Sequence, residues 1–241
     1  MIDIHCHLLP NIDDGPQSMT ESLELATIAI KNNIQKAIVT PHIHPGRYEN
    51  DFYSIFSSYA MFKSKLIENN LSLEIGMAAE VRIAPEIIPM LKRYQIPFLG
   101  ELAGYKVLLL ELPHSHIPPG SDKLVRLLLD QGIRPMIAHP ERNKDVMHNL
   151  NCILPFVKMG CLLQVTASSV SGYFGKVCQK RANEMLSQNW VSVLASDAHN
   201  KRHRPPELLS GYQAAARIIG ADAAKNLVYS TPLSIVKKHF T

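Results

Sequence analysis

The chain reads as an α/β protein whose strands close into a distorted (β/α)7 TIM-like barrel, and two observations predict this. Strand-like runs alternate with helix-like runs along all 241 residues, the pattern of βα units on a parallel sheet. Residues able to do chemistry recur at the ends of the strand-like runs, where barrel active sites lie. An α/β barrel of this length forms one domain, so residues 1–241 are expected to be a single unit.

The elements follow in order. Ile2–Cys6 alternates apolar and polar and reads as a short first strand, with His5 and His7 on one side of its tip. Ser18 is an N-cap with Glu21 at the third helical position, a capping box opening the amphipathic run Glu21–Lys31. Lys36–Thr40 is β-branched in character and runs into Pro41-His42. Asn50–Asn69 has helical spacing, with Phe52, Phe56 and Tyr59 as its expected buried face. Leu73–Ala79 is a strand ending at Glu80, and Glu86–Tyr94 a short helix. Lys106–Leu110 is a run of the kind buried on both faces of a parallel sheet, ending at Glu111. Asp122–Asp130 is helical and stops before Gly132; Pro135–Ala138 is a strand ending at His139-Pro140. Lys144–Lys158 is helical with a kink at Pro155. Leu162–Val165 reaches Thr166, Lys176–Gln188 is helical, and Trp190–Ala195 runs into Ser196-Asp197-Ala198-His199. Glu207–Ile219 and Ala221–Val228 complete the chain as helices.

Composition excludes several classes. With 46% hydrophobic and 19% charged residues the chain is a folded globular protein. The net charge of +4 is unclustered, and its densest stretch, Lys201-Arg202-His203-Arg204, is too short to track a nucleic acid but suits a compact anion such as phosphate. No nucleic-acid partner is expected. No apolar run approaches the ~20 residues of a membrane span, and no secretory signal opens the sequence, so the expected location is the cytoplasm. The four cysteines show no CxxC spacing, and none is followed six residues later by arginine. Walker A and GxGxxG loops are absent too. Thiol catalysis and dinucleotide binding are therefore poor readings.

The strand tips carry His5, His7, His42, Glu80, Glu111, His139, Asp197 and His199. So many imidazoles and carboxylates on one rim would leave costly unpaired charge unless cations met them. Their number exceeds what one ion needs, so two or three clustered divalent ions are expected, with Glu80 bridging. Nitrogen and oxygen donors without thiolate indicate Mn, Fe, Zn or Co. Asp13 and Asp14, in the turn before Gly15, offer one further ligand and one acceptor behind a ligand, and spacing leaves open which is which. Arg142 and Arg204 lie near the same rim, and a guanidinium fork matches phosphate. The alternative for either is neutralisation of a local carboxylate such as Glu141. His44, His114, His116, His148, His203 and His239 read as surface or supporting residues, His203 being the least secure of them.

Six segments together resemble the PHP (polymerase and histidinol phosphatase) family: Ile4-His5-Cys6-His7, Asn11-Ile12-Asp13-Asp14-Gly15-Pro16, Thr40-Pro41-His42, Glu80-Val81-Arg82, His139-Pro140-Glu141-Arg142 and Ser196-Asp197-Ala198-His199. More narrowly, the chain is similar to the bacterial manganese-dependent protein tyrosine phosphatases encoded with capsule and exopolysaccharide genes. The resemblance runs from Met1 to the Ser230-Thr231-Pro232 region. It implies a distorted barrel of seven βα units and a trinuclear site. By that resemblance His5, His7, Glu80 and Asp197 would hold one ion; Glu80, Glu111 and His139 a second; Asp14, His42 and His199 a third, with manganese the expected metal. Arg142 matches the arginine that contacts phosphate, and Arg204, in looser alignment, a second. None of the six segments falls in the 43–60 segment or the 113–118 loop, where the match is left open.

The implied reaction is removal of phosphate from protein phosphotyrosine by a metal-bridging hydroxide, attacking in line with the tyrosyl oxygen. The implied partner is a tyrosine-phosphorylated bacterial tyrosine kinase. Sibling readings are a histidinol-phosphate phosphatase and a PHP nuclease; a reading from another class is a metal-stabilised regulatory module without turnover.

Overall fold

Seven parallel staves arranged in a ring form the centre of the computed structural model, which describes residues 1–240. In chain order the elements are β1 (Ile2–Cys6), α1 (Met19–Lys31), β2 (Lys36–Val39), β3 (His42–Ile43), α2 (Phe52–Glu68), β4 (Glu74–Met77), β5 (Glu80–Arg82) and α3 (Ile87–Lys92). Then come β6 (Gly100–Leu102), β7 (Tyr105–Glu111), α4 (Ser121–Asp130), β8 (Ile133–Ala138), α5 (Lys144–His148), α6 (Leu154–Lys158) and β9 (Leu162–Thr166). The chain ends with α7 (Ala167–Val170), α8 (Lys176–Ser187), β10 (Val193–Ala195), α9 (Leu209–Ile219), α10 (Ala221–Lys225) and α11 (Thr231–Val236).

One sheet runs β1-β2-β4 and the other β10-β9-β8-β7-β5-β3, with β6 antiparallel on β7. The short strands β3 and β5 prolong β2 and β4, bonded through Ala78 N to Val39 O and Glu80 N to Pro41 O. The ring closes where Asp197 N donates to His5 O at 2.8 Å and His7 N to Ala198 O at 2.7 Å. Asp3 strengthens that seam by accepting from both Ser196 N and Ser196 Oγ.

Strand periodicity sorts the apolar residues into two layers. Ile4, Ile38, Val107, Leu109, Met136, Val193 and Ala195 pack inside the ring, whose floor is sealed by Leu99, Ile235 and Val236. Val39, Leu108, Leu110, Ile137, Leu163 and Leu194 face the helices. The floor requires Gly100, because a Cβ there would lie 2.0 Å from Ile235 O.

Several local expectations are corrected. Ser18 caps α1 by accepting from Glu21 N, but the Glu21 carboxylate takes the N–H of Gln17 rather than that of Ser18. The reciprocal capping box belongs to α2, between Asp51 and Ser54. The buried face of α2 is Ile55, Ser58, Phe62 and Leu66, whereas Phe56 is 51% exposed. The segment from Lys144 to Lys158 breaks at Asn149, whose extended backbone separates α5 from a turn leading into α6. There Pro155 lies in the first turn, where its missing N–H costs nothing. Among the described residues no helix is long and apolar enough to cross a membrane.

Candidate metal centre

The residues predicted at the strand tips meet at one mouth of the barrel. A bulge in β1 makes this happen first. Register with β2 advances from Asp3 opposite Ala37 to Cys6 opposite Val39, one residue more on β1 than on its partner. Side-chain parity therefore changes: Ile2 and Ile4 lie in the inner layer, Cys6 in the outer, and His5 and His7 both turn to the mouth. Glu111 follows Val107 and Leu109 by simple alternation, and Glu80 sits at the start of β5 beside His42 of β3. His139 and Asp197 are reached differently. Both sit just past a strand with left-handed backbone, φ 32° and φ 52°, a conformation that costs a non-glycine residue about 1–3 kcal/mol and clusters at functional sites.

Three groups of donor atoms converge, each within 4.8 Å: His5, His7, Glu80 and Asp197; His7, Asp14, His42 and His199; and His42, Glu80 and Glu111. Glu80 Oε2 is the common point, 3.2 Å from Nε2 of both His5 and His7 and 3.1 Å from His42 Nδ1. His139 falls in none of these three groups; its Nε2 lies beside them, 2.8 Å from Glu80 Oε1. Asp14 Oδ1 is 3.3 Å from Nε2 of both His42 and His199.

The turn resolves its two aspartates. Asp14 faces the donors, whereas Asp13 stands behind them, accepting from His7 Nδ1 at 2.7 Å and from His42 N at 3.0 Å.

Whether this set fits divalent cations is testable on the atoms themselves. Asp14 Oδ1, His42 Nδ1, Glu80 Oε2, Glu111 Oε2, Asp197 Oδ1 and His199 Nε2 are buried and have no hydrogen-bond partner. Buried polar atoms are ordinarily satisfied, whereas these meet only in ion-pair contacts such as His42 Nδ1 to Glu80 Oε2 at 3.1 Å and His199 Nε2 to Asp14 Oδ1 at 3.3 Å, an array that shared cations would satisfy. The rear nitrogens are meanwhile occupied. His5 Nδ1 donates to Gln164 Oε1 at 2.9 Å, and His199 Nδ1 to Asp197 O at 2.9 Å. Such contacts fix the tautomer that leaves Nε2 free for a metal. The donor set is all nitrogen and oxygen, so the residues fit borderline or hard divalent ions.

Charge at the site is strongly perturbed. Burial, with the charge of Glu80 behind it, pushes the Glu111 carboxyl up to about 8, although Arg82 lies 3.0 Å away. Burial and then the Arg142 charge bring His139 down to about 3; burial and His7 bring His199 down to about 4. Burial works against protonated His5, His7 and His42, but the surrounding carboxylates outweigh it and raise all three. Burial would likewise raise Asp197, yet Arg142, His199 and His5 hold it well below the usual carboxylate range.

Arg142 does not pair with Glu141. That carboxylate accepts from Thr166 N at 3.0 Å and Ser169 Oγ at 2.7 Å, tying down the start of α7. Arg142 instead donates to Asp197 Oδ2 and to His114 Nε2, and its guanidinium lies 5.0 Å from the Phe174 ring centroid. Arg204 reaches Asp14 Oδ2 at 3.3 Å and Asp197 Oδ2 at 3.6 Å. Its loop is wound around Asn200, whose Oδ1 accepts from the backbone N–H groups of Arg202, His203 and Arg204.

Gln164 and Asn200 escape sequence reasoning, Arg82 enters it only within the Glu80-Val81-Arg82 motif, and His114, read as surface or supporting, supports Arg142. Gln164 carried a signal, being a polar residue inside an otherwise apolar strand, and Arg82 follows Glu80 by two positions on one strand. An apolar groove of about 600 Å³ between α2 and α3, lined by Phe52, Phe56 and Tyr94, holds none of these residues.

The chain is 36% identical to CapC of Staphylococcus aureus over 205 residues, covering 85% of this chain and 79% of that one. It is 34% identical to the tyrosine-protein phosphatase YwqE of Bacillus subtilis over 204 residues, again 85% and 79% of the two chains. A crystal structure from a study of YwqE from Bacillus subtilis and CpsB from Streptococcus pneumoniae, described as unique metal-dependent tyrosine phosphatases, superposes with a TM-score of 0.91 at 30% identity, over 99% of this chain and 95% of that one. An amidohydrolase from Mycoplasma synoviae, 11% identical with a TM-score of 0.61 over 98% of this chain and 87% of the other, shares the fold alone. The family model for capsular polysaccharide synthesis proteins CpsB/CapC matches residues 1–237, and the chain belongs to that family.

Proposed function

We propose that this chain is a metal-dependent phosphomonoester hydrolase that removes phosphate from protein phosphotyrosine in capsule or exopolysaccharide synthesis. The observation that carries the reading is the convergence of unpartnered buried donors on Glu80 beside two arginines that share Asp197. A cation cluster flanked by guanidinium groups suits a dianionic phosphoryl group. Relatives matching 85% and 98% of the chain are named tyrosine-protein phosphatases, which supports the same reading.

The proposed ligands are His5, His7, Glu80 and Asp197 for one ion, Glu80, Glu111 and His139 with His42 near for a second, and Asp14, His42 and His199 for a third. Manganese is the proposed metal, and the PHP superfamily the proposed wider placement. When bound, such ions lower the pKa of a coordinated water and neutralise phosphoryl oxygens. The chain's own residues do the rest. Arg142, gripped by Asp197 and His114, and Arg204, held in the Asn200 loop, bind the non-bridging oxygens as charge develops. The tyrosyl oxygen leaves as a phenolate of pKa about 10, so no strong general acid is needed. No phosphoenzyme is invoked: Cys6, beside the site, is fully buried and its thiol is pushed up by burial. The phosphoprotein proposed as partner is a bacterial tyrosine kinase.

The test is hydrolysis of a phosphotyrosine peptide with added manganese by wild type, Arg142→Ala and His139→Ala. EDTA is expected to abolish turnover, and both variants to lose most of it. Wild-type turnover in either variant removes the role given to that residue. A higher kcat/KM for histidinol phosphate than for the peptide would move the assignment to the small-molecule phosphatase.

A further inference from the structure

The loop from β3 to α2 brings an aromatic side chain to the mouth that the roles above leave without a task. Its shape is fixed by backbone bonds. His44 N donates to Tyr48 O at 2.9 Å and Tyr48 N to His44 O at 2.8 Å, around a tip whose Gly46 has φ +82°. Asn50 Nδ2 anchors the returning strand to Ile12 O and His42 O, at 2.9 Å each. The Tyr48 ring is thereby held parallel to the imidazole of His42, centroids 5.5 Å apart with 7° between planes. Arg47 lies over the same ring, 4.9 Å from its centroid.

Exposure shows which way the centre opens. The Asp14 side chain is 33% exposed and that of His42 10%, while His5, His7, Glu80, Glu111, His139, Asp197 and His199 are at most 5% exposed. Arg204 (23%) and Arg142 (12%) border the same mouth, and the side of it beside Asp14 and His42 opens along Tyr48.

We propose that Tyr48 is a specificity-determining residue that selects phosphate esters of flat aromatic rings over alkyl phosphates. The inference deepens the phosphotyrosine reading and rests on it. A rigid ring at the rim offers a planar substituent an offset-stacked or edge-to-face partner, whereas an alkyl chain has no π-face to match it. Because the loop is already ordered, little conformational freedom is lost on binding. Arg47 is exposed, so its movement off the ring breaks no buried packing.

Calorimetry on the manganese-loaded protein tests this with two non-hydrolysable probes, phenylphosphonate and methylphosphonate, which share the phosphoryl head and differ in the ring. Tyr48→Leu keeps apolar bulk over His42 but removes the aromatic face. Tyr48→Phe keeps the face and removes the hydroxyl. Wild type is expected to bind phenylphosphonate more tightly. Tyr48→Leu should lose about three- to tenfold for phenylphosphonate, with methylphosphonate affinity and metal content unchanged, and Tyr48→Phe should match wild type. Equal losses for both probes, loss of metal, or no loss for either overturns the inference. Failure of the broader reading is seen separately, as wild-type protein that binds both probes yet does not hydrolyse a phosphotyrosine peptide.

Discussion

Asp13 Oδ2 accepts the Nδ1 hydrogen of His7 at 2.7 Å, and the same oxygen accepts the backbone N–H of His42 at 3.0 Å. One carboxylate, itself held by Gly15 N at 2.9 Å, thus orients two members of the donor cluster without facing it. Carboxylates behind metal-binding histidines typically carry about 10–100-fold in metal affinity. Asp13→Ala is expected to weaken manganese binding by about that factor with the far-ultraviolet circular dichroism unchanged. Chelator competition measures it, and undiminished affinity would show that the contact is only structural.

Arg142 uses its fork on two partners, Asp197 and His114, with Phe174 beneath it. A lysine offers a point charge that cannot span both. Arg142→Lys is therefore expected to lower kcat/KM for a phosphotyrosine peptide by at least about tenfold, with bound metal retained. Steady-state kinetics beside elemental analysis checks both halves.

Metal affinity should rise with pH. Glu111 holds its proton up to about 8 in the metal-free protein, so binding below that pH must displace it. His5, His7 and His42 are raised as well and add to the proton release. His139 and His199, at about 3 and about 4, are already neutral and contribute none. One displaced proton makes apparent affinity fall about tenfold per pH unit. Between pH 8 and pH 6 the apparent affinity should drop by about a hundredfold or more, measurable by titration in buffers of different ionisation enthalpy.

Removing metal should also cost stability. Glu80, Glu111 and Asp197 are almost fully buried, and only the folded chain brings them together. A single site filled at a hundred times its dissociation constant stabilises by about 2.7 kcal/mol, or about 5–10 °C in Tm for a chain of this length. EDTA-treated protein should melt lower by at least that much, and manganese should restore it. Differential scanning calorimetry with equal Tm in both states would speak against a buried cation cluster.

The barrel was legible because alternation and apolar runs are local properties. The continuous run ending at Glu111 and the tip at Ile4-His5-Cys6-His7 fell where the structure has β7 and β1. The misreadings were local too, but decided from outside. Phe52, Phe56 and Tyr59 have helical spacing, yet the fully buried face of α2 is Ile55, Phe62 and Leu66, with Tyr59 partly buried at its margin and Phe56 left exposed. Composition cannot say which of two apolar stripes meets the rest of the protein.

By itself the sequence determined the chemistry available, nitrogen and oxygen donors at strand tips with arginines close behind, since residue type sets ligand preference and the βα alternation sets the end of the barrel at which the donors gather. Only tertiary structure decided that Asp13 stands behind Asp14, that a bulge turns His5 and His7 inward, that Arg142 serves Asp197 rather than Glu141, and that the Tyr48 ring lies parallel to His42. Other contacts of the site span long stretches of sequence, 159 positions between His5 and Gln164 and 55 between Arg142 and Asp197. Partners so distant are fixed by strand register and loop closure, which no local period encodes.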